Sequence, residues 1–148
     1  MKIFLGADHG GFSIKEQLKE QLKSHDYLVE DCGAMAYDAT DDYPVYARQV
    51  AEAVAGDAEA CGILLCRSGH GMVMAANKVA GARAALATTP AWTNQSRTDD
   101  GANILAFGVD FSDNRQILSL ALGWLKTDYA GGRHQRRLDE LTAMEQPR

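Results

Sequence analysis

The chain has 148 residues, the length of one ordinary domain, with a formal net charge of −5. That length buries one core without staples and predicts a single domain over residues 1–148. The acidic balance argues against a nucleic-acid binder, which needs a basic face to neutralise phosphates, and no apolar run is long enough to cross a bilayer. Three cysteines, Cys32, Cys61 and Cys66, are an odd number in a chain without a secretory-type start, so a reducing cytoplasm is expected and a disulfide framework is not.

In chain order, Lys2 to Ala7 reads as a strand ending at Asp8-His9-Gly10-Gly11, after which Phe12, Ile14, Leu18 and Leu22 recur at helical spacing. Tyr27 to Asp31 is a second strand, and Cys32 to Asp42 is loop-like. Pro44 fits the first turn of a helix whose periodicity runs from Val45 to Val54. Gly62 to Leu65 is short and wholly apolar, the mark of a buried parallel strand, and it stops at Cys66-Arg67-Ser68-Gly69-His70-Gly71. A third helix is expected over Met72 to Lys78, closed by Gly81, then a strand at Arg83 to Ala87. Pro90 to Arg97 reads as a short helix, Asn103 to Phe107 as the fifth strand and Arg115 to Leu125 as an amphipathic helix. A basic helical extension, about 130–148, follows Gly131-Gly132. Alternating strands and helices imply a parallel sheet covered on both faces, with ligands bound beyond the carboxyl ends of the strands.

Cys66 reads in two ways. As one more buried cysteine it is a small hydrophobe, the reading that also suits Cys32 and Cys61. At a strand end beside Arg67, loop amides and a helix start, a thiolate is stabilised, and the residue becomes a base or nucleophile. Asp8 can cap the turn that follows it, or with His9 hold a sugar hydroxyl and an anionic group, the glycines allowing close approach. Arg133 and Arg137 share a helix face at i and i+4, where two guanidinium groups can converge on one phosphate or simply be solvated. Asp99, Asp100 and Asp110 read locally as helix-end and turn residues. The histidines lack a metal-ligand pattern, no Gly-x-Gly-x-x-Gly signature follows the first strand, and the Cys66 loop has neither a second cysteine at Cys-x-x-Cys spacing nor the terminal arginine of a cysteine phosphatase loop. No metal is expected.

Taken together, Gly6-Ala7-Asp8-His9-Gly10-Gly11-Phe12, Asp42-Tyr43-Pro44, Cys66 to Gly71, Ala75-Ala76-Asn77-Lys78, Asn103 to Gly108 and Gly131 to Arg137 resemble the ribose-5-phosphate isomerase B and galactose-6-phosphate isomerase family, from Met1 to about Glu145. The resemblance implies a three-layer α/β/α, Rossmann-like domain with a five-stranded parallel sheet. It further implies a cofactor-free aldose–ketose isomerase of a phosphorylated sugar, working through a cis-enediolate. Cys66 matches the general base, and Ser68 with the loop N–H groups over Arg67, Gly69, His70 and Gly71 matches the enediolate-stabilising segment. Asp8, His9 and Tyr43 match positions that hold sugar hydroxyls or phosphate, and Arg133 and Arg137 match phosphate-binding arginines. Family members form dimers whose active sites use both chains, so a homodimer is expected here, with a tetramer as the alternative.

Three departures from the family pattern cluster at the site. Asp99-Asp100 stands where a His-Asn pair is usual, and the histidine is associated with opening the sugar ring, a task for which it is better matched to neutral pH than a carboxylic acid. Asp110 replaces an arginine that helps hold the phosphate, and an anion there is expected to repel one. Arg67 replaces a small residue and can restore a phosphate contact, favour the Cys66 thiolate or fill the pocket. The expected activity is interconversion of the ribose 5-phosphate/ribulose 5-phosphate type. The alternatives are isomerisation of a tetrose or hexose phosphate, or a non-catalytic sugar-phosphate-binding subunit.

Overall fold

The computed structural model describes residues 1–145, in which strands and helices alternate as β1 (Lys2–Ala7), α1 (Phe12–Ser24), β2 (Leu28–Asp31), α2 (Tyr43–Ala55), β3 (Cys61–Cys66), α3 (His70–Ala76), β4 (Ala84–Leu86), α4 (Pro90–Thr98), β5 (Ile104–Gly108), α5 (Asn114–Leu125) and α6 (Arg133–Met144). Residues 146–148 of the expected C-terminal extension lie outside the described part. All four strand pairings are parallel, in the order β2-β1-β3-β5-β4. The central strand β3 is buried along its whole length, as its unbroken apolar run requires.

Alternation along the strands sends side chains to two separate cores. Ile3, Leu5, Ile63, Leu65 and Phe107 pack with Leu18 and Leu22 of α1 and with Ile117, Ala121 and Trp124 of α5. Phe4, Leu64, Cys66 and Ala106 face the other way, onto Ala47, Val50 and Val54 of α2 and Met72 and Ala76 of α3. Ala7 pairs with Leu65, and Cys66 with Gly108, so the loops after β1, β3 and β5 emerge level with one another at the carboxyl edge of the sheet.

Two expected boundaries move. The third helix begins at His70 rather than Met72 and takes in Gly71, where a Cβ would sit 2.6 Å from Tyr43 Cζ, so that glycine there makes room for the ring. The same helix ends at Ala76, and Gly81, at φ +84°, instead shapes the turn before β4. Elsewhere the ends shift by one or two residues, within the fraying of any element.

Two polar side chains shape the sheet's flanks. Lys15, fully buried on α1, donates from Nζ to both carboxylate oxygens of Asp31 at 2.8 and 2.7 Å and to the Ala34 carbonyl at 2.7 Å, fixing the chain that leaves β2. Burial pushes the Asp31 carboxyl up, but Lys15 and Lys19 together hold it below its ordinary value. At the opposite flank, the Asn77 side chain donates to the Ala84 carbonyl at 3.0 Å and accepts from its N–H at 2.7 Å, occupying both backbone groups of the first residue of β4 as an outer strand would.

Candidate active site

Cys66 ends β3 with its side chain buried, and the loop it opens folds back over it. Gly69, held at φ +79°, turns the backbone so that its N–H donates to Cys66 Sγ at 3.0 Å. A Cβ on Gly69 would lie 2.5 Å from Leu86 Cδ1, so both the conformation and the space demand glycine. Ser68 is half-buried beside this turn, its Oγ accepting a long bond of 3.4 Å from the His70 N–H, while His70 itself is exposed. A cleft of about 660 Å³ opens here, lined among others by Ser68, His70, Gly108, Phe111, Arg115 and Ser119. The other two cysteines sit in a different chemistry. Burial, reinforced by Glu30 and Asp31, pushes the Cys32 thiol up to about 11, and burial raises that of Cys61, so both behave as inert thiols.

From β1, Asp8 is buried and uses Oδ1 to accept from Gly10 N–H at 2.9 Å and Gly11 N–H at 3.3 Å, the turn-capping role that the sequence allowed. His9 stands next to it, its Nδ1 2.7 Å from Asp41 Oδ1. Asp41 escaped the sequence reading because it lies 32 residues away in a loop of small and acidic residues, where no local pattern ties it to His9. Asp8, His9 and Asp41 are also a grouping of three potential metal ligands, with donor atoms within 4.8 Å of one another, although Asp41 Oδ1 already accepts from the His9 backbone N–H at 2.9 Å. Tyr43, at the start of α2, closes this side of the loop against Gly71.

Arg67 and Asp110, two of the departures from the family pattern, meet each other. Arg67 Nε lies 3.0 Å from Asp110 Oδ2, with the Asp110 backbone N–H donating to the Arg67 carbonyl at 3.0 Å. The Asp110 anion is thus matched by the neighbouring Arg67 cation. The pair is largely exposed, so it contributes little to stability, ~0–1 kcal/mol, and its effect is on where the charge sits.

The remaining predicted residues are not brought to Cys66 within one chain. Asp99 caps the C-terminus of α4 and Asp100 follows it, both on the amino edge of the sheet, just before β5. Gly62, level with Ile104, and Cys66, level with Gly108, stand four residues apart, about 13 Å at the rise of a parallel strand. At this far edge α6 contributes His134, whose Nε2 lies 3.7 Å from Asp99 Oδ1, and the exposed Arg133 and Arg137. Neither arginine is paired with a carboxylate among the described residues; Arg137 only donates to the Arg133 carbonyl at 2.9 Å. The thiol and loop donors thus lie at the carboxyl edge of the sheet, and the guanidinium groups of Arg133 and Arg137 at the amino edge.

A family profile described as Ribose/Galactose Isomerase matches residues 3–141. Ribose-5-phosphate isomerase B of Escherichia coli K12 is 42% identical over 147 residues, 99% of this chain and 98% of that protein. The crystal structure of ribose-5-phosphate isomerase B from Mycoplasma genitalium with bound ribulose-5-phosphate superposes with a TM-score of 0.93 at 38% identity, covering 97% of this chain and 95% of that one. The Clostridium thermocellum ribose-5-phosphate isomerase B structure gives 0.92 at 39% identity, over 98% and 97% of the two chains. With its sheet order, its Cys66 loop and these likenesses over nearly its full length, the chain belongs to the ribose/galactose isomerase family.

Proposed function

We propose that the protein interconverts an aldose phosphate and its ketose isomer, of the ribose 5-phosphate/ribulose 5-phosphate type, with Cys66 as general base. The observation that carries this is the buried Cys66 Sγ with a backbone N–H already aimed at it and the Ser68 hydroxyl alongside. As thiolate, Sγ takes the proton from the carbon next to the carbonyl, and the electron pair moves onto oxygen to give the enediolate. Ser68 and the loop N–H groups bond the charged oxygen. Cys66 then returns the proton to the neighbouring carbon, while a hydroxyl proton passes between the two oxygens. No cofactor enters this scheme. The three free cysteines are in keeping with a reducing cytoplasm.

The phosphate is held by Arg133 and Arg137 of a second copy, whose far edge, with Asp99 and Asp100, docks over the Cys66 loop of the first. Two such contacts related by a two-fold axis complete two identical sites. Mixing tests this directly. Cys66→Ala and the double variant Arg133→Ala/Arg137→Ala are each expected to be inactive, whereas equal amounts co-refolded should recover about a quarter of the wild-type activity, since half the dimers are mixed and each mixed dimer holds one intact site. Mixed dimers that form yet recover no turnover count against shared sites.

The substrate is tested by turnover on aldose and ketose phosphates of four to six carbons. Ribose 5-phosphate activity is expected, with the Asp99–His134 pair serving in ring opening. A second reading rests on the carboxylates at Asp99 and Asp100: a tetrose 4-phosphate cannot close a furanose ring and needs no ring-opening acid. Turnover confined to four-carbon substrates would establish that reading instead, and silence across the panel with retained ligand binding would leave a sugar-phosphate-binding subunit.

A further inference from the structure

The Asp41 carboxylate is almost wholly enclosed, its side chain only 6% exposed, with the Tyr46 hydroxyl also bonding to it. Burying a carboxylate is costly unless hydrogen bonds and a cation match its charge. Among the described residues its one ionic partner is His9, which meets Oδ1 twice, through the backbone N–H at 2.9 Å and through ring Nδ1 at 2.7 Å. Two donors from one residue fix both the position of His9 and the rotation of its ring. With Nδ1 committed as a donor, the ring has its Nε2 free, and the His9 side chain remains one-third exposed beside the Cys66 loop.

We infer that Asp41 is a positioning residue that keeps His9 as an imidazolium, its Nε2–H serving as a donor to the anionic group of the substrate. The inference rests on the isomerase reading for the identity of that anion, but not for the ion pair itself. The other charged and titratable groups around His9 are Asp8 at the end of β1, Asp38 in the same loop as Asp41, Arg67, whose stem lies against Gly10, and Tyr46 of α2 near the Asp41 carboxylate. The Asp41 hydrogen bond, opposed by partial desolvation and aided by the charge of Asp8, raises His9 above its ordinary value. A raised value keeps the cation, and the hold on the substrate, up to a higher pH; both are lost as pH rises through it.

Asp41→Asn separates charge from placement, because the amide oxygen can still accept from Nδ1–H. In the full-length protein, NMR titration of the His9 ring should show its midpoint falling by about one pH unit in the variant, a tenfold change in the protonation equilibrium. The rise of KM with pH for the sugar phosphate that is turned over should move down by the same amount, with kcat changed far less. Asp41→Thr, which keeps a hydroxyl acceptor without charge, carries the same expectation should the asparagine variant fold poorly. An unmoved His9 midpoint overturns the pairing. A lowered midpoint with an unmoved KM profile overturns the contact with substrate while leaving the isomerase reading standing. Were the wild type inactive on every sugar phosphate, the proposed function would fail, and the NMR midpoint would still decide the pairing.

Discussion

Replacing Cys66 with alanine is expected to lower kcat by about 10²–10⁴-fold, the range that a positioned general base contributes. Ligand binding should be retained, because the groups proposed to hold the sugar and its phosphate lie elsewhere: at Asp8, His9 and Tyr43, and on the second copy. Cys66→Ser should be nearly as slow despite its shape, since a serine hydroxyl does not ionise near neutral pH. The fold should survive both changes, for the thiol is a small part of a core that Leu64, Val50 and Met72 dominate. Steady-state turnover together with calorimetric binding of ribulose 5-phosphate checks the pair of expectations. An alanine variant keeping a tenth or more of wild-type kcat would remove Cys66 from the role of base.

The second large effect is on stability. Lys15→Met keeps most of the apolar stem's volume but strips the ammonium from Asp31 and leaves the buried Ala34 carbonyl without its donor. Breaking a buried pair by removing one partner costs about 3–5 kcal/mol. Lys19, still 2.8 Å from Asp31 Oδ2, places this case at the lower end. A loss of about 3 kcal/mol corresponds to a fall in Tm of about 6–12 °C for a chain of this size. Lys19→Met, on the more exposed side of the same carboxylate, should cost about 1 kcal/mol or less. Because the Asp31 carboxyl is held below its ordinary value in the folded chain, its share of stability is present above the unfolded-chain value of 3.8 and is lost as pH falls through the folded one. Thermal melts from neutral pH to about pH 3 should therefore show the gap between wild type and Lys15→Met narrowing at the acid end, with the part owed to the Ala34 carbonyl remaining. A constant gap across that range would mean that Lys15 does not act through the Asp31 charge.

Much of the fold was legible in the sequence because its strongest signals are local. Gly62 to Leu65 is too apolar to be anything but interior, and the spacing of Ile14, Leu18 and Leu22 allows one helical face. The start of α3 was misread because glycine usually breaks helices, whereas Gly71 is needed for the approach of a ring from another helix. Asp41 was missed for a related reason: its meaning comes from His9, on a different strand end, and a contact 32 residues apart leaves no periodic trace. The separation of Asp99 from Cys66, by contrast, was implicit in the alternation of elements. A residue that follows a helix and precedes a parallel strand must lie at the edge where strands begin, and Cys66 lies where one ends. Arg67 and Asp110 stood as two separate departures when read singly and became one ion pair only when the loops after β3 and β5 were seen side by side.

The Asn77 side chain has a meaning beyond β4 itself. A parallel sheet with open margins invites strand addition, whether by a second copy or by an aggregating neighbour, and natural proteins blunt such margins with short strands and blocked backbone groups. Here β4 is three residues long, and the outward N–H and carbonyl of its first residue are already taken by an amide from the same chain. Strand addition on that side therefore meets a margin whose first residue is already capped from within the chain.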